Sequence, residues 1–455
     1  MSYLSKKKSI AKDNYNRWYV PIAALSIHLC IGQIYAFSVF NKPLTKVLGI
    51  TEQLPEDWKL TQLGWIFTIA LFTLGASAAI FGKWVERVGP RKTMFVAALC
   101  FSSGFLVSAL GIYFHKIWLL YLGSGLLGGI GLGLGYISPV STLIKWFPDR
   151  PGMATGMAIM GFGGGAMIAS PLSVKLMEHY ASDVSTGVME TFITMGLIYL
   201  VLMLFGSMIV RIPQQGWKPK GYEPEKKKQA KLITSEHVLA DTAIKTPQFW
   251  LLFIVLLMNV SAGIGVLGQA SVIIQEMFSV KSVGADLAVN ATAAAMFVGI
   301  LSLFNMIGRF FWSSLSDYIG RKATYAIFFL LGIALYLTVP YAGKIGSLLL
   351  FYAAFGIIIS MYGGGFATIP AYLRDLFGTK QVGAIHGRLL LAWSLAAIVG
   401  PVTLNYLREY QIEELGKPAA EVYSLTMYLM AGLLLIGLIA NLLVKPVDAK
   451  HHYKA

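Results

Sequence analysis

The chain has 455 residues, of which 56% are hydrophobic and only 13% are charged. A soluble domain of this length needs more charge to cover its surface, so the composition excludes a soluble globular protein. The formal net charge of +15 suggests a nucleic-acid partner, but the basic residues lie in loops between apolar segments. The sequence therefore predicts a membrane protein that has no nucleic-acid partner.

Apolar runs of about 20 residues, long enough to cross a ~30 Å hydrocarbon core, recur along the whole chain. The first run lacks a small-residue cleavage site, which indicates a retained span rather than a signal peptide. The expected fold is an all-α polytopic membrane protein. Twelve transmembrane helices are predicted, at 18–41, 62–81, 93–114, 117–144, 152–178, 190–211, 248–275, 287–315, 323–341, 346–373, 384–407 and 421–444.

Lysine and arginine are distributed unequally between the two sides of this topology. They concentrate in the N-terminus, the even-numbered connections and the C-terminal tail. Because cytoplasmic loops carry an excess of basic residues, both termini are predicted to be cytoplasmic. The expected location is the cytoplasmic membrane of a bacterium. The basic run EKKKQAK at 225–231 fits a solvated loop, with anionic lipid headgroups as an alternative partner.

The longest connection divides the twelve spans into two sets of six. Cys30 and Cys100 fall in different spans, and we expect reduced packing residues that form no disulfide or metal site. The expected divisions are an N-tail at 1–17, a six-helix bundle at 18–211, a cytoplasmic linker at 212–247, a second six-helix bundle at 248–444 and a C-tail at 445–455.

The two halves share one sequence register. GKWVERVGPRK has its acid at Glu86 and SSLSDYIGRK has its acid at Asp317, an offset of 231 residues. The same offset relates Pro139 to Pro370, and it relates GMATG to GAIHG. These features indicate a duplicated six-helix unit. Transporters with such repeats bind substrate between the halves, near the middle of the membrane.

The first of these motifs resembles the signature of the major facilitator superfamily. Glu86 stands where the family has an aspartate, and Ser313 stands where the second copy is expected to have a glycine. We expect the acid to lie near a helix N-terminus and to pair with an arginine, which would hold one conformation closed. The predicted gating residues are Gly82, Glu86, Arg87, Gly89 and Arg91, with Asp317, Gly320 and Arg321 in the second copy.

Longer stretches resemble the oxalate/formate antiporter family, which is related to the monocarboxylate transporters. The resemblance covers essentially all twelve spans and implies that a small carboxylate is carried by alternating access. The matching stretches are CIGQIYAFSVFNKPL, GLGLGYISPVSTLIKWFPDRPGMATGMAIMGFGGGA, NMIGR and YGGGFATIPAYLRDLFGTKQVGAIHGRLLLAWSLAAIVGP.

Arg309 places a permanent charge inside the eighth span, about 12 Å along a helix from Asp317. The equivalent position in the other half is Ala78, so the fold does not require a cation there. A guanidinium can hold a carboxylate through two parallel bonds, and the anion offsets the cost of burying the cation. The resemblance also implies carboxylate binding by Arg309. The alternative is an arginine that snorkels to the headgroups.

Five other side chains accompany Arg309 in the predicted binding site. Asn305, one turn earlier, is expected to bond the substrate or Arg309, or to form a helix–helix contact. Tyr35, Tyr136 and Tyr362 lie beside small residues, and phenols add hydrogen bonds without adding charge. Packing is the alternative for each of them. Trp393 stands where an oxalate exchanger of the family is expected to have a lysine.

The single intramembrane cation predicts a preference for monoanions such as formate, lactate or pyruvate over oxalate. His28, His386 and Arg388 are candidates for coupling. His28 is one because histidine titrates near neutral pH, and a neutral, hydrogen-bonded ring is its alternative. Arg388, near the cytoplasmic end of the eleventh span, and His386 are also candidates to add positive charge to the site. No Asp or Glu lies clearly inside a span. The acidic residues nearest to the spans lie near span ends, namely Glu190, Glu276 and Asp286. This absence argues against cation export and against proton symport.

The sequence thus predicts a secondary transporter of a small carboxylate, with anion exchange favoured. Proton-coupled monocarboxylate symport and transport of another small solute are alternatives within the fold. A carboxylate sensor that does not transport is the alternative from a different class. No phosphate-binding loop or nucleophile–base pair is visible, so neither enzymatic activity nor a cofactor is expected. The expected partners are a small organic anion and the lipid bilayer, and the protein is expected to be a monomer.

Overall fold

The computed structural model describes residues 3–12, 14–219, 232–234, 236–279, 284, 288–418 and 421–453. The basic run 225–231 and Asp286 lie outside these residues. Twelve helices of the described chain are long and apolar enough to cross a membrane, and no β-strand is formed by the described residues. The predicted all-α fold with twelve spans is therefore confirmed.

The membrane helices of the N-terminal half are numbered α1 to α6. Two of them change their hydrogen-bonding pattern along their length: α1 continues as a 3-10 helix, and α4 contains a π-helical segment. The bounds are Val20–Ile31 with Gly32–Phe40 for α1, Leu60–Val88 for α2, Pro90–Tyr113 for α3, Ile117–Leu120 with Tyr121–Leu127 and Gly128–Trp146 for α4, Pro151–Tyr180 for α5 and Val188–Ile209 for α6.

The C-terminal half repeats this arrangement with α7 to α12. A short linker helix, Ala240–Ala243, precedes it, and α11 is interrupted at Leu390. The bounds are Pro247–Met277 for α7, Ala291–Ile319 for α8, Arg321–Lys344 for α9, Leu348–Phe377 for α10, Val382–Leu389 with Leu391–Glu413 for α11 and Tyr423–Leu443 for α12.

Two turns at equivalent positions of the repeat connect α2 to α3 and α8 to α9. Gly89 has a φ of 86° and Gly320 has a φ of 88°. A residue with a Cβ is strained at such angles, whereas glycine adopts them freely. The glycines of the gating motif therefore allow each helix pair to turn back sharply.

Both described chain ends lie on the same side of the bundle as these turns. The Arg91 guanidinium, at the start of α3, stacks on Tyr3 at 4.3 Å. The Tyr453 amide donates to the carbonyl of His237 at 2.7 Å, and the adjacent Val238 amide bonds the end of α10. We call this the termini side of the bundle and the opposite side the far side.

The helices extend beyond the predicted spans on the termini side. The prediction ends the second span at 81 and the eighth at 315, whereas α2 continues to Val88 and α8 to Ile319. Hydropathy marks only the part of a helix that lies in hydrocarbon. The polar turns that follow stay helical because Glu86 and Asp317 have partners within the protein.

Two predicted spans are less regular than expected. The first span changes to a 3-10 helix at Gly32, where a Cβ would lie 2.4 Å from the Phe162 carbonyl oxygen of α5. The eleventh span is interrupted at Leu390, whose carbonyl oxygen would lie 2.6 Å from a Cβ at Gly75 of α2. Both irregularities occur where a helix backbone lies directly against another helix.

The two halves contact each other along two equivalent seams, α2 against α11 and α5 against α8. Glycines line both. A Cβ at Gly82 would lie 2.8 Å from Ala384 Cα, and a Cβ at Gly156 would lie 2.1 Å from Ser313 Oγ. Such small residues let helix backbones approach closely. Both cysteines are free, as predicted, and Cys30 is buried.

Candidate functional site

Arg309 lies inside the protein, on α8 where this helix faces α5 and α10, and its side chain is fully buried. Side chains of a helix lean toward its N-terminus, which for α8 is the far side. Arg309 Nε donates to Asn305 Oδ1 at 3.0 Å, and Nη1 donates to the Ile159 carbonyl at 3.5 Å. Nη2 has no hydrogen-bond partner among the described residues. The guanidinium therefore does not reach the membrane surface, and one of its nitrogens is unpaired.

No acid neutralises this cation in the described part of the chain, where no ion pair includes Arg309. Two phenylalanines flank it instead. The Arg309 Cζ atom lies 5.4 Å from the ring centre of Phe162 on α5 and 5.5 Å from that of Phe366 on α10. An aromatic face attracts a cation, more strongly where water is excluded. The rings support the buried charge without cancelling it.

Phe162 and Phe366 were not predicted from the sequence. A signal for Phe162 was present, since it is the repeat equivalent of Trp393 at the offset of 231 residues. Phe366 follows Tyr362 by one helical turn and packs on it at 5.3 Å. Because phenylalanine is common in membrane helices, Phe366 is identified by its packing alone.

Tyr35 of α1 and Tyr362 of α10 meet across the boundary between the halves. Their hydroxyl oxygens are 3.2 Å apart. The ring of Tyr35 packs edge-on against Phe162 at 5.0 Å, and Tyr35 interacts electrostatically with Arg309. The predicted pair thus lies next to the guanidinium.

Tyr136 of α4 lies at the centre of a second group of rings. Its ring centre is 5.7 Å from those of Trp393 and His386 on α11, and 5.6 Å from that of His28 on α1. The ring of Trp393 packs on Phe366 at 4.4 Å and on Phe162 at 5.6 Å. The two phenylalanines therefore connect this group to Arg309.

Several polar atoms of this group are buried without a partner in the described part of the chain. They are Tyr136 OH, Trp393 Nε1, His28 Nε2 and His386 Nε2. His28 Nδ1 lies 3.1 Å from the Ala24 carbonyl and must donate to it. An unpaired buried polar atom is costly, so a cluster of them is a place where a polar ligand would be stabilised.

Nearly all the predicted site residues are thus brought together, but Arg388 is not. Its guanidinium donates to the Ala240 carbonyl and, at 2.6 Å, to Asp241 Oδ1 of the linker helix. Asp241 also pairs with Lys83 of the other half, and hydrogen bonds from Lys83 and Arg388 lower its pKa to about 2. Arg388 therefore belongs to an ionic cluster at the termini side, away from the rings.

The two motif acids each bond the first turn of a helix in the opposite half. Asp317 Oδ1 and Oδ2 accept from the amides of Gly152 and Met153 on α5, both at 2.9 Å. Glu86 Oε1 accepts from the Gly383 amide on α11 at 3.3 Å. Gly152 and Gly383 are equivalent in the repeat, so the two contacts are mirrored. Carboxylates are favoured there because helix N-termini carry unpaired amides and partial positive charge.

The predicted pairing of the acid with an arginine holds for only one of the two copies. Asp317 pairs with Arg321, which also bonds Asp375 at 3.1 Å. Glu86 pairs instead with Lys145, at 2.7 Å. Consecutive residues of a helix point about 100° apart, so Arg87 does not share the face of Glu86. Arg87 is exposed.

Arg91 is buried but does not pair with Glu86. Its Nη1 donates to the Tyr3 carbonyl at 2.9 Å, and its Nη2 approaches the Val210 carbonyl at 3.5 Å. Both partners belong to the N-terminal half. Arg91 therefore ties the N-terminal segment to the bundle, and none of its hydrogen bonds to described residues crosses the seam.

The family model described as Major Facilitator Superfamily matches residues 23–401 and 272–454. The chain belongs to this superfamily, and it is an integral membrane transporter. A crystal structure of a superfamily transporter, FucP, in the outward conformation has a TM-score of 0.62 to this chain. That likeness covers 93% of this chain and 99% of the other at 13% sequence identity, and it shows the fold.

Two curated relatives are similar over most of their length. The oxalate:formate antiporter of Oxalobacter formigenes is 27% identical over 387 residues, which cover 85% of this chain and 83% of that protein. Monocarboxylate transporter 4 of Rattus norvegicus is 26% identical over 382 residues, covering 81% of this chain and 73% of that protein.

Proposed function

We propose that the protein carries a small carboxylate anion across the membrane by alternating access, exchanging one anion for another. The observation that carries this proposal is the buried Arg309 guanidinium, which has an unpaired Nη2 and no acid partner among the described residues. A carboxylate oxygen is the acceptor that matches such a donor best. The names of the two relatives, an oxalate:formate antiporter and a monocarboxylate transporter, support the same substrate class.

A monoanion is the preferred substrate in this proposal. Among the described residues, Arg309 is the one lysine or arginine that lies against the clustered rings, so the proposed site is neutralised by one negative charge. A dianion would leave a negative charge uncompensated in a medium of low dielectric, which is costly. Formate, lactate and pyruvate therefore fit the site better than oxalate.

Exchange is favoured over proton symport by the group beside the arginine. Asn305, a neutral amide, accepts from Arg309 Nε, so no described carboxylate can neutralise the empty site by losing a proton. A loaded carrier then changes conformation more easily than an empty one. Symport is the second candidate, and the buried unpaired nitrogens of His28 and His386 are the observation in its favour.

The orientation proposed here places both termini in the cytoplasm, since the basic connections lie on the termini side. A bacterial cytoplasmic membrane and a monomeric carrier complete the proposal. The bundles at 18–211 and 248–444 are the units proposed to move against each other, joined by the linker at 212–247.

Uptake into proteoliposomes tests this function directly. Vesicles are loaded with formate, lactate, pyruvate, oxalate or no anion, and labelled monocarboxylate is added with or without an imposed proton gradient. We expect uptake that needs an internal carboxylate and does not respond to the gradient. Uptake into empty vesicles that follows an inward proton gradient would establish symport instead. Specific binding without uptake of any carboxylate would favour a sensor.

The crossed contacts of Glu86 and Asp317 predict a role in closing the termini side. Glu86→Ala and Asp317→Ala should each lower turnover by about fivefold, because the loss of a helix cap costs ~1 kcal/mol and depopulates the state closed there. Equilibrium affinity should change little, since neither acid lies at the rings. Exchange rates and equilibrium binding are measured in parallel.

Arg87→Ala is the matched control, because this neighbouring side chain is exposed and forms no hydrogen bond or ion pair across the seam in the described part of the chain. It should retain both affinity and turnover. A large loss of affinity with normal turnover in the Glu86 or Asp317 variants contradicts the gating role.

A further inference from the structure

Hydrogen bonds between the two halves are concentrated toward the termini side. Beyond the crossed acid contacts, Thr155 Oγ1 donates to the Ala367 carbonyl at 2.6 Å, and Arg374 Nη2 donates to the Pro148 carbonyl at 3.4 Å. Farther along the seam, Ser394 Oγ donates to the carbonyl of Phe72 at 3.0 Å. The termini side is therefore closed by many contacts over much of the membrane thickness.

The far side is closed differently. Tyr35 and Tyr362 lie at the same depth in the bundle. Each is about 22 Å from the termini-side end of its own helix, which is the start of α1 for Tyr35 and the end of α10 for Tyr362. The hydrogen bond of Ser394 to the Phe72 carbonyl joins the halves at a similar level on the other seam. The far-side glycines Gly64 of α2 and Gly299 of α8 have open space beside them, unlike the packed glycines of the seams on the same helices.

The Tyr35–Tyr362 pair lies directly over the buried cation. Tyr35 packs on Phe162 and Tyr362 packs on Phe366, the same two rings that flank the Arg309 guanidinium. Gly263 of α7 makes room for Tyr362, since a Cβ there would lie 2.3 Å from the ring atom Cδ2. The pair is therefore held at the end of the site nearest the far side.

We propose that Tyr35 and Tyr362 form the gate between the binding site and the far side. Their mutual hydrogen bond breaks to admit the anion, and the gate closes again when both phenols donate to the anion's oxygens. In the empty site only one of the two hydroxyl protons is used between them. A carboxylate offers acceptors to both, and hydrogen bonds to a charged acceptor are stronger than the neutral bond they replace. The closing step rests on the proposed function, because it requires an anionic substrate.

The first test measures access to the site and needs no substrate. A reporter thiol is introduced as Phe366→Cys with Cys30→Ala and Cys100→Ala, and a membrane-impermeant methanethiosulfonate is added from either side. Labelling should occur from the far side. Tyr35→Phe and Tyr362→Phe should each raise its rate about fivefold, the factor for one neutral hydrogen bond of ~1 kcal/mol.

The double variant, with both Tyr35→Phe and Tyr362→Phe, distinguishes two explanations. Either the two tyrosines act through one shared hydrogen bond, or each contributes independently. Either substitution removes the same bond, so the double variant should label no faster than a single one. Tyr372→Phe, a buried tyrosine of the same helix, is the matched control and should leave labelling unchanged. Effects that multiply in the double variant, labelling that does not respond to either substitution, or labelling from the termini side would each overturn the gate.

A second measurement uses the protein without the reporter. Release of labelled formate from the loaded site should be faster in both Phe variants, whereas the on-rate should change little. Unchanged release would reject the closing step even if access is altered. If the wild-type protein binds no carboxylate at all, the proposed function fails, while the labelling result still decides whether the pair gates the far side.

Discussion

Replacing Arg309 with alanine is expected to abolish carboxylate binding and transport while the protein still inserts and folds. Among the described residues, the guanidinium is the one permanent cation beside the clustered rings, and removing two charge-assisted hydrogen bonds should weaken binding by at least about 100-fold. Its own bonds within the protein are few, to Asn305 and Ile159, so its loss should cost little stability. Binding and uptake are measured in proteoliposomes, with size-exclusion chromatography to show a monodisperse protein.

Two further variants sharpen this expectation. Arg309→Lys should recover little, because an ammonium is a point donor and lacks the planar fork. Arg388→Ala is the matched control, since this arginine is bonded to the linker helix at the termini side. Transport at near wild-type rate by Arg309→Ala would show that the arginine does not hold the substrate.

The second large effect is expected from a change of charge at Trp393. This side chain packs on Phe162 and Phe366, the rings that flank Arg309, so a lysine there adds a second cation to the same site. An uncompensated buried charge costs several kcal/mol. Trp393→Lys should therefore weaken competition by formate and lactate and strengthen competition by oxalate, each by more than tenfold. Competition against a labelled substrate measures both.

Trp393→Met is the control for this experiment, because it removes the aromatic ring without adding charge. It should lower affinity for all carboxylates alike and leave the preference for monoanions in place. If the wild-type protein selects oxalate over every monoanion tested, the single-cation site is wrong and Arg309 requires a cationic partner.

The twelve spans could be predicted because crossing hydrocarbon imposes long apolar runs on the sequence. Their ends on the termini side could not, because the helical turns around Glu86 and Asp317 are polar. Those turns are stabilised by partners in the opposite half, such as the amides of Gly152 and Gly383. Such partners lie far away in the sequence, so no local sequence pattern predicts them.

The site was predictable to the extent that its residues are unusual in a membrane. Arg309 is a lone charge, and Tyr136 and Trp393 carry polar atoms, whereas Phe162 and Phe366 have purely apolar side chains that are common in membrane helices. Their importance comes from their position on either side of the guanidinium, which depends on how α5 and α10 pack.

Arginine partners were the least predictable feature. Arg388 was grouped with the site as a positive charge near the cytoplasmic end of the eleventh span, but its partner is Asp241 of the linker helix. Arg91 belongs to the gating motif, but it bonds the chain's own N-terminal segment. The acceptor that an arginine bonds is determined by tertiary structure, because the fold decides which acceptors lie within hydrogen-bond distance.

The crossed acids have a consequence for how the termini side opens. When the halves separate there, the amides of Gly152, Met153 and Gly383 lose their carboxylates together. A helix N-terminus without an acceptor must bond something else, and water is the partner at hand. Wetting of the seam is thus part of the opening step itself. Each half supplies the carboxylate that bonds the helix N-terminus of the other half. Neither half can therefore exclude water from its own helix N-terminus once the two separate.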